Sequence, residues 1–396
     1  MENQQIVFLR GPDRVRKRPA VVFGSEGEEG VRRAVELILN LFVTEAQLGH
    51  AKSLTVIHSG QQVEISADDQ GLYLGQDTAD DRIWQNIFCD FALASAYPIE
   101  ENGYRYGLTK SGRQELYGGD AEYALCLPEE VGAFDLCCVQ YASAFMDVTV
   151  VRDGIQSELH FEKGYARGGM VCQATDAPSG TSIRFAMDPE IFTHIRWPED
   201  WFRQTLRQYA MGVPGLTCRY RKGVDDCGDT YCYPAGLEGY LREKGAAQIY
   251  RNKLEARGRE RYNRPDYQAC VEVAVGYTPG QSEMLCLHNF RPLQGGKHWE
   301  ALKDQVCYAF NLHFRREVGD QELTFEELSR HLTVVLATWC APRRSLWGNG
   351  TRTSIENQVI ADMTDDAFSH AFCDFVRDRA DCFISMIDAI MQQRQE

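Results

Sequence analysis

An amphipathic helix followed by a β-hairpin that ends in an acidic turn constrains the fold of this chain more than any other feature. Apolar residues recur every three or four positions from Val31 to Leu48, which predicts a helix with one buried face. Two strands, Ser53–His58 and Gln62–Ala67, are predicted directly after it, and Asp68-Asp69-Gln70-Gly71 follows the second strand. A helix packed against such a hairpin predicts a mixed α/β domain.

The whole chain is predicted to form two α/β domains, residues 1–230 and 231–396. Residues 98–130 are rich in Gly, Tyr and charged residues without a clear period, which favours a long loop acting as a lid. Further elements are predicted as strands Asp147–Arg152, Ser157–Phe161, Thr181–Phe185, Ala269–Tyr277, Glu283–His288 and Leu332–Thr338, and as helices Trp299–Phe314 and Asp366–Gln393, the last being a long C-terminal helix.

Composition narrows the class of protein. A hydrophobic content of 44% with 25% charged residues is typical of a soluble globular protein, and no apolar run is long enough for a membrane span. The N-terminus carries no visible signal peptide, so we expect a cytoplasmic protein whose 14 cysteines are reduced. Cys227 and Cys232 give a weak metal signal, for which a loop with free thiols is the alternative.

Several blocks of the sequence resemble one family in the same order. They are Ile6–Pro19 with Phe23-Gly24-Ser25, Gly49-His50, Pro178–Phe185, Tyr233–Tyr240 and Asn289–His298. Together they resemble the N-terminal half of the DNA gyrase B subunit and of its topoisomerase IV counterpart. The resemblance covers nearly the whole chain and implies a Bergerat-type GHKL ATPase sandwich followed by a transducer domain similar to ribosomal protein S5 domain 2. No block resembles the acidic signature of the family's cleavage domain, so we expect no strand cleavage by this chain alone.

The resemblance implies roles for two residues of the first helix. Glu36 matches the general base that orients the attacking water, and Asn40 matches the residue that gives an oxygen ligand to Mg²⁺. Their spacing of four places both on one face of the helix. From the residues alone, an exposed Glu and a surface Asn are the alternative.

The residue that should read the adenine base is ambiguous. Counting without gaps places the family's Asp at Ala67, and strand parity agrees because Val63, Ile65 and Ala67 share one face. A slip or bulge of one residue would bring in Asp68 instead. Gly71 keeps one of the glycines that follow in the family pattern.

The phosphate end of the pocket departs further from the family. Only Gly132 remains of the Gly-rich stretch whose backbone must approach phosphate closely, and Asp135 adds a negative charge there. Thr181 matches a residue of the adenine network, and Arg152 matches a position near the pocket mouth. Arg352 matches the transducer lysine that reaches the terminal phosphate, with a change in geometry.

A basic segment remains as a DNA-contact hypothesis. The net charge of −15 argues against a surface coated for DNA binding, although Arg251, Arg257, Arg259 and Arg261 are close in sequence. In the family this part of the transducer helps to line a cavity for DNA. A solvated charged loop is the alternative.

Three hypotheses of function follow. The first is a gyrase B-like ATPase and transducer module with a degenerate nucleotide site, acting as a homodimerising clamp or as a partner of topoisomerase subunits. The second is a divergent but active ATPase that uses ATP and Mg²⁺. The third is a non-enzymatic interaction protein that reuses the fold.

Overall fold

The structure is a computed structural model that describes residues 9, 11–75, 83–89, 133–258, 267–340, 345–349 and 352–395. Contacts within the chain separate it into two units, Met1–Cys232 and Tyr233–Glu396. The lid expected at residues 98–130 lies outside the described residues. None of the helices in the described ranges is both long and apolar enough to cross a membrane.

The first unit combines a large sheet with a layer of helices. Its helices are α1 (Asp13–Arg16), α2 (Pro19–Phe23), α3 (Glu28–Gln47), α4 (Ile83–Phe88), α5 (Ala133–Ala142) and α6 (Glu199–Gly212). Its strands are β1 (Ser53–Ser59), β2 (Gln62–Ala67), β3 (Ser143–Arg152), β4 (Ile155–Glu162), β5 (Tyr165–Ala166), β6 (Val171–Ala174), β7 (Gly180–Met187), β8 (Thr217–Lys222) and β9 (Asp229–Cys232).

These strands form one sheet in the order β5-β4-β3-β7-β2-β1-β8-β9, with β6 beside β4. Only the β1–β8 pair is parallel among the strand pairs of the described part of this sheet. Val63 and Ile65 alternate with partly exposed residues along β2 and are fully buried. Helix α3 contacts β1 and β2, so the predicted helix-on-hairpin arrangement is the centre of this unit.

The second unit has a smaller sheet covered by long helices. Its helices are α7 (Leu237–Glu243), α8 (Lys297–His313), α9 (Arg315–Val318), α10 (Phe325–Ser329), α11 (Gln358–Asp378) and α12 (Ala380–Gln393). Its strands are β10 (Ile249–Gly258), β11 (Tyr267–Tyr277), β12 (Glu283–His288), β13 (Arg291–Pro292), β14 (Gly295–Gly296), β15 (Leu332–Cys340) and β16 (Ser354–Ile355). The main sheet has the order β10-β11-β15-β12-β13, and every residue of its central strand β15 is buried.

The C-terminal helix differs from the prediction. Instead of one helix over Asp366–Gln393, the structure has α11 and α12, and α11 is itself interrupted at Ser369, where φ is 35° and ψ is −143°. The carbonyl oxygen of Ala367 accepts hydrogen bonds from the Tyr250 hydroxyl at 2.5 Å and from the Asn252 amide at 2.9 Å. Side chains of β10 therefore satisfy a carbonyl that lies two residues before the break.

Candidate nucleotide site

A buried carboxyl group, Asp69, is the centre of the candidate site in the first unit. Its Oδ1 accepts hydrogen bonds from the Gly71 N–H at 2.8 Å and from the Thr181 hydroxyl at 2.9 Å. The Thr181 oxygen in turn accepts a bond from the Leu72 N–H at 2.9 Å. The Oδ2 atom of Asp69 takes no hydrogen bond from any residue that the structure describes. Asp69 Oδ2 is thus the acceptor that the site leaves open among the described residues. It lies beside the Thr181 hydroxyl, which already donates its hydrogen to Asp69 Oδ1.

The loop that carries Asp69 is fixed by glycine and by an arginine. Gly71 has φ +80°, and a Cβ there would lie 2.4 Å from the Val151 carbonyl oxygen. Arg152 donates from Nη1 to the Gly71 carbonyl oxygen at 2.8 Å, and its guanidinium lies 5.6 Å from the centre of the Tyr73 ring. The predicted residue Arg152 therefore holds the loop in place through Gly71, a position where only glycine fits without strain.

Burial dominates the electrostatics of the site. It raises the pKa of Asp69 from 3.8 to about 7, and repulsion from the Glu45 carboxylate adds to the rise, while the bonds from Gly71 and Thr181 oppose it. Glu45 lies on α3 and is itself buried, with its Oε2 2.9 Å from His50 Nδ1. Its Oε1 has no hydrogen-bond partner within the described ranges. The Glu45 and Asp69 carboxylates are therefore close enough to repel each other.

Positions along α3 can be compared with Glu45, the residue of this helix whose charge acts on Asp69. An α-helix turns by about 100° per residue, so Glu36, nine positions earlier, points about 180° away from Glu45. Leu37 and Leu41 lie within about 80° of Glu45 and are 6% and 4% exposed. The stripe of α3 that runs from Glu45 along this side is therefore apolar.

The two residues predicted to act on water and metal lie on another side of α3. Glu36 accepts a hydrogen bond from Arg33 at 3.1 Å. Asn40 accepts one from the Tyr209 hydroxyl of α6 at 3.2 Å, and it lies about 140° from Glu45 around the helix. Neither residue has a hydrogen bond to Asp69 in the ranges that the structure describes.

Ala67 and Asp68 were proposed to read the adenine base, but neither supplies the carboxyl group that binds the Thr181 hydroxyl. Ala67 pairs with Thr181 through the strand backbone and has no polar side-chain atom. The Asp68 carboxylate turns outward and accepts bonds from the Lys52 and Ser53 N–H groups at 2.8 and 2.7 Å. Asp69 was missed because it lies beyond the end of β2, where strand parity no longer applies. The Asp-x-Gly spacing to Gly71 is the signal that could have found it, since Asp accepts a bond from the N–H two residues later in such turns.

The remaining predicted residues of the phosphate end lie outside the described residues or in the second unit. Gly132 lies outside the described residues, as does the side chain of Asp135. Arg352 belongs to the second unit, has φ +56° and places its guanidinium 5.8 Å from the centre of the Trp347 ring. No phosphate contact is established for either.

The predicted DNA-contact arginines are only partly described. Arg251 donates to the buried Glu272 at 2.8 Å, so its charge is neutralised on the sheet. Arg259 and Arg261 lie outside the described residues, and the side chain of Arg257 does as well.

The described residues of the site offer a hydrogen-bond acceptor and no set of metal ligands. In the ranges that the structure describes, no group of three His, Cys, Asp or Glu residues could hold a metal, and this includes Cys227 and Cys232. Every cysteine of these ranges is a free thiol. Mg²⁺ requires oxygen ligands, which Leu37 and Leu41 cannot give. By contrast, Asp69 Oδ2 is an acceptor suited to an N–H donor of a ligand.

Comparison with known proteins gives the class of the chain. No protein-family model matches it. Its fold is similar to the 43K ATPase domain of Thermus thermophilus gyrase B, solved in complex with an aminocoumarin, with a TM-score of 0.65 and 19% identity over 96% of this chain and 93% of that one. It is also similar to the ATP-binding domain of topoisomerase IV of Francisella tularensis, with a TM-score of 0.63 and 17% identity over 98% and 99% of the two chains. The predicted fold class is thereby confirmed: the chain has the fold of a GHKL ATPase domain followed by a transducer domain.

Sequence relatives agree with the fold. The DNA gyrase B subunit of Enterococcus faecalis is 27% identical over 390 residues, which cover 94% of this chain and 55% of that protein. The mitochondrial gyrase B subunit of Arabidopsis thaliana is 24% identical over 97% of this chain and 51% of its own length. In sequence and in fold, the chain is similar to DNA gyrase B subunits. It spans about half the length of these relatives.

Proposed function

We propose that this chain is a gyrase B-like module that recognises the base of a nucleotide but does not hydrolyse ATP. One observation carries the proposal: Asp69 and Thr181 form a built polar site, while α3 is apolar at Leu37 and Leu41, on the side of the helix that Glu45 marks. Phosphoryl transfer depends on groups that position water and a metal ion, and the side chains of Leu37 and Leu41 cannot do so. In this proposal the chain keeps the residues that bind the base and has lost those that act on the phosphates.

The module acts as a homodimerising clamp or as a cytoplasmic partner of topoisomerase subunits. Support for this comes from its similarity to gyrase B and topoisomerase IV domains along both units. With nucleotide turnover absent, occupancy of the pocket alone would change the state of the clamp. Sedimentation velocity with and without a non-hydrolysable ATP analogue tests this role, since a clamp of this kind dimerises when the analogue is bound.

Calorimetric titration with the same analogue tests the site itself. We expect binding to the wild type that persists when Mg²⁺ is removed with EDTA. Asp69→Ala should weaken binding by about tenfold or more, because it removes the base-reading acceptor. Asn40→Ala is the matched control and should bind as the wild type does, because Asn40 faces Tyr209.

The opposite result would identify an active enzyme. Mg²⁺-dependent binding that is lost in Asn40→Ala, together with ATP turnover abolished by Glu36→Ala, would overturn the proposal in favour of the divergent ATPase. Absence of heat with the wild type would show that base recognition is lost as well, and would leave an interaction protein that reuses the fold.

DNA contact by Arg257, Arg259 and Arg261 is a separate proposal that rests on the resemblance and on the charge of the segment. Reversal of these three charges should weaken DNA binding and reduce its dependence on salt. Unchanged binding at every salt concentration would remove the DNA role from this segment.

A further inference from the structure

One ridge of helix α8 in the second unit is acidic at its start and apolar at its end. Glu300, Asp304, Tyr308 and Leu312 follow each other at intervals of four residues, so their side chains form one row on the helix surface. Tyr308 is 58% exposed and Leu312 is 57% exposed. The row spans about 18 Å along the helix axis. A large aromatic and a branched aliphatic side chain therefore stand in solvent at one end of a charged row.

A groove lies beside the acidic half of this ridge. It has a volume of about 500 Å³ and is bounded by the starts of α8 and α11. Its lining includes the carboxylates of Glu300, Asp304, Glu356 and Asp365 and a single cation, Lys297. The surroundings of the groove are thus strongly acidic.

Most of this negative charge is not neutralised inside the protein. Glu300 pairs with Lys303 at 2.9 Å, and Asp365 accepts only an amide hydrogen bond from Gln305 at 3.3 Å. The Lys297 ammonium is turned to the Gln358 side-chain oxygen at 3.1 Å. Asp304 and Glu356 have no ion pair with any cation of the described ranges. The groove therefore carries an excess of carboxylates that a cationic partner would neutralise.

The geometry excludes two other classes of ligand. The carboxylates do not converge on one point, since no group of three potential metal ligands occurs in the described ranges. Nucleic acid would be repelled, because its phosphates have the same sign as the groove. The neighbouring Tyr308 and Leu312 add an apolar contact that fits a protein segment, since aromatic side chains in partly enclosed surroundings are typical anchors of protein interfaces.

We propose that the groove and the adjoining Tyr308–Leu312 ridge form a docking surface for a basic amphipathic helix of a partner protein. Lysine or arginine side chains of the partner enter the groove and meet Asp304 and Glu356. Its apolar side chains lie over Tyr308 and Leu312. The ridge length corresponds to about three turns of such a helix, which is the length of a typical helix-in-groove contact. The surface lies wholly within the second unit and does not depend on nucleotide recognition in the first.

Fluorescence anisotropy with a labelled 14-residue peptide of leucine and lysine in amphipathic order tests the surface. The double variant Asp304→Lys/Glu356→Lys should bind the peptide about tenfold more weakly than the wild type, because it places like charges at the contact. The matched control is Asp381→Lys/Asp388→Lys, which makes the same change in net charge at exposed positions of α12. It should change the affinity by about twofold or less, since only long-range attraction is altered.

A second pair of variants tests the apolar half. Tyr308→Ser/Leu312→Ser removes exposed side chains only, so the fold is kept, and it should weaken binding about fivefold at any salt concentration. Equal losses in the groove variant and its control would show mere attraction between opposite net charges and would overturn the proposal. So would an unchanged affinity in Tyr308→Ser/Leu312→Ser, or no binding to the wild type.

Sedimentation velocity separates a foreign helix from a second copy of the chain. We expect the wild type and the Asp304→Lys/Glu356→Lys variant to have the same oligomeric state. A dimer that is present in the wild type and absent in this variant would assign the surface to self-association instead, and would also overturn the proposal.

Discussion

Each unit of this protein buries a polar network that contains a threonine, and the two networks differ in what they leave open. In the first unit, Asp69 is bound on one oxygen and keeps the other free. In the second, His288 is fully buried, and both ring nitrogens are bonded, Nδ1 to Thr338 at 2.9 Å and Nε2 to Ser345 at 2.8 Å. A closed network of this kind contributes to stability alone, whereas an open one is available to a ligand.

The two networks also respond to burial in opposite ways. Burial raises the pKa of Asp69 to about 7 and lowers the pKa of His288 to about 3. Both shifts favour the neutral form, as expected when water is removed from an ionisable group. His288 is therefore neutral at every physiological pH, while Asp69 titrates within the physiological range.

The closed network should give the largest loss of stability. His288→Ala removes a buried ring and its hydrogen bonds to Thr338 and Ser345, so we expect the free energy of unfolding to fall by about 4 kcal/mol. Urea denaturation measures it, and nucleotide binding should be unaffected. His370→Ala, at an exposed position of α11, is the control, with an expected change within about 0.5 kcal/mol. Equal effects of the two variants would contradict a closed, stabilising network.

The loop of the open network is tested by Gly71→Ala. The new Cβ would lie 2.4 Å from the Val151 carbonyl oxygen at φ +80°, so we expect a loss of about 3 kcal/mol and loss of base binding. Gly60→Ala measures the cost of backbone strain without a steric clash. Gly60 has φ +60°, and nothing lies within 4 Å of the Cβ that alanine would add. It should cost about 1 kcal/mol. Similar losses in both variants would show that the approach of Val151 is unimportant.

The pH dependence of Asp69→Asn tests the electrostatics of the open site. Because the folded pKa of Asp69 is raised from 3.8 to about 7, its ionisation destabilises the fold increasingly as pH rises from about 4 to 7. Asp69→Asn should therefore be more stable than the wild type by about 2 kcal/mol at pH 8, and the difference should vanish near pH 4. Thermal unfolding across this range measures it, and a difference that is independent of pH would contradict a buried, titrating Asp69.

An ion pair at the end of α12 should show the opposite sign and the smallest effect. Arg394 donates to both carboxylate oxygens of Glu327, at 2.6 and 2.7 Å, which lowers the pKa of Glu327 to about 2. Its stabilisation is present above pH 4.5 and is lost as pH falls towards 2. Arg394→Gln should cost about 1 kcal/mol at pH 7 and nothing near pH 2. A cost that persists near pH 2 would show that the Arg394 bonds to backbone carbonyls dominate.

The helix and strands at the centre of the first unit could be predicted from the sequence better than the residues of its candidate site. Alternation at Val63 and Ile65 specified β2, because only one register buries both side chains. It could not specify Asp69, whose direction is set by the turn at Gly71 and by Thr181, a residue distant in sequence. Periodicity has local causes, whereas the orientation of a loop side chain depends on tertiary contacts.

The same limit explains the reading of α3. A spacing of four places Glu36 and Asn40 on one side of a helix, but it does not say which neighbour that side meets. That Asn40 meets the Tyr209 hydroxyl of α6 depends on a contact between residues distant in sequence, which only the fold reveals. In α11 the apolar stripe continues past Ser369 from Phe368 to Phe372, so no break in the pattern announced the break in the helix.

The interruption of α11 has a mechanical consequence. A continuous helix would carry a push or a twist from one end to the other as a stiff rod. At Ser369 the helix divides into two segments. The end of the first segment is bound to β10, because Tyr250 and Asn252 donate hydrogen bonds to the Ala367 carbonyl. A load applied through α12 is therefore shared with the sheet at this tether before it reaches the N-terminal half of α11.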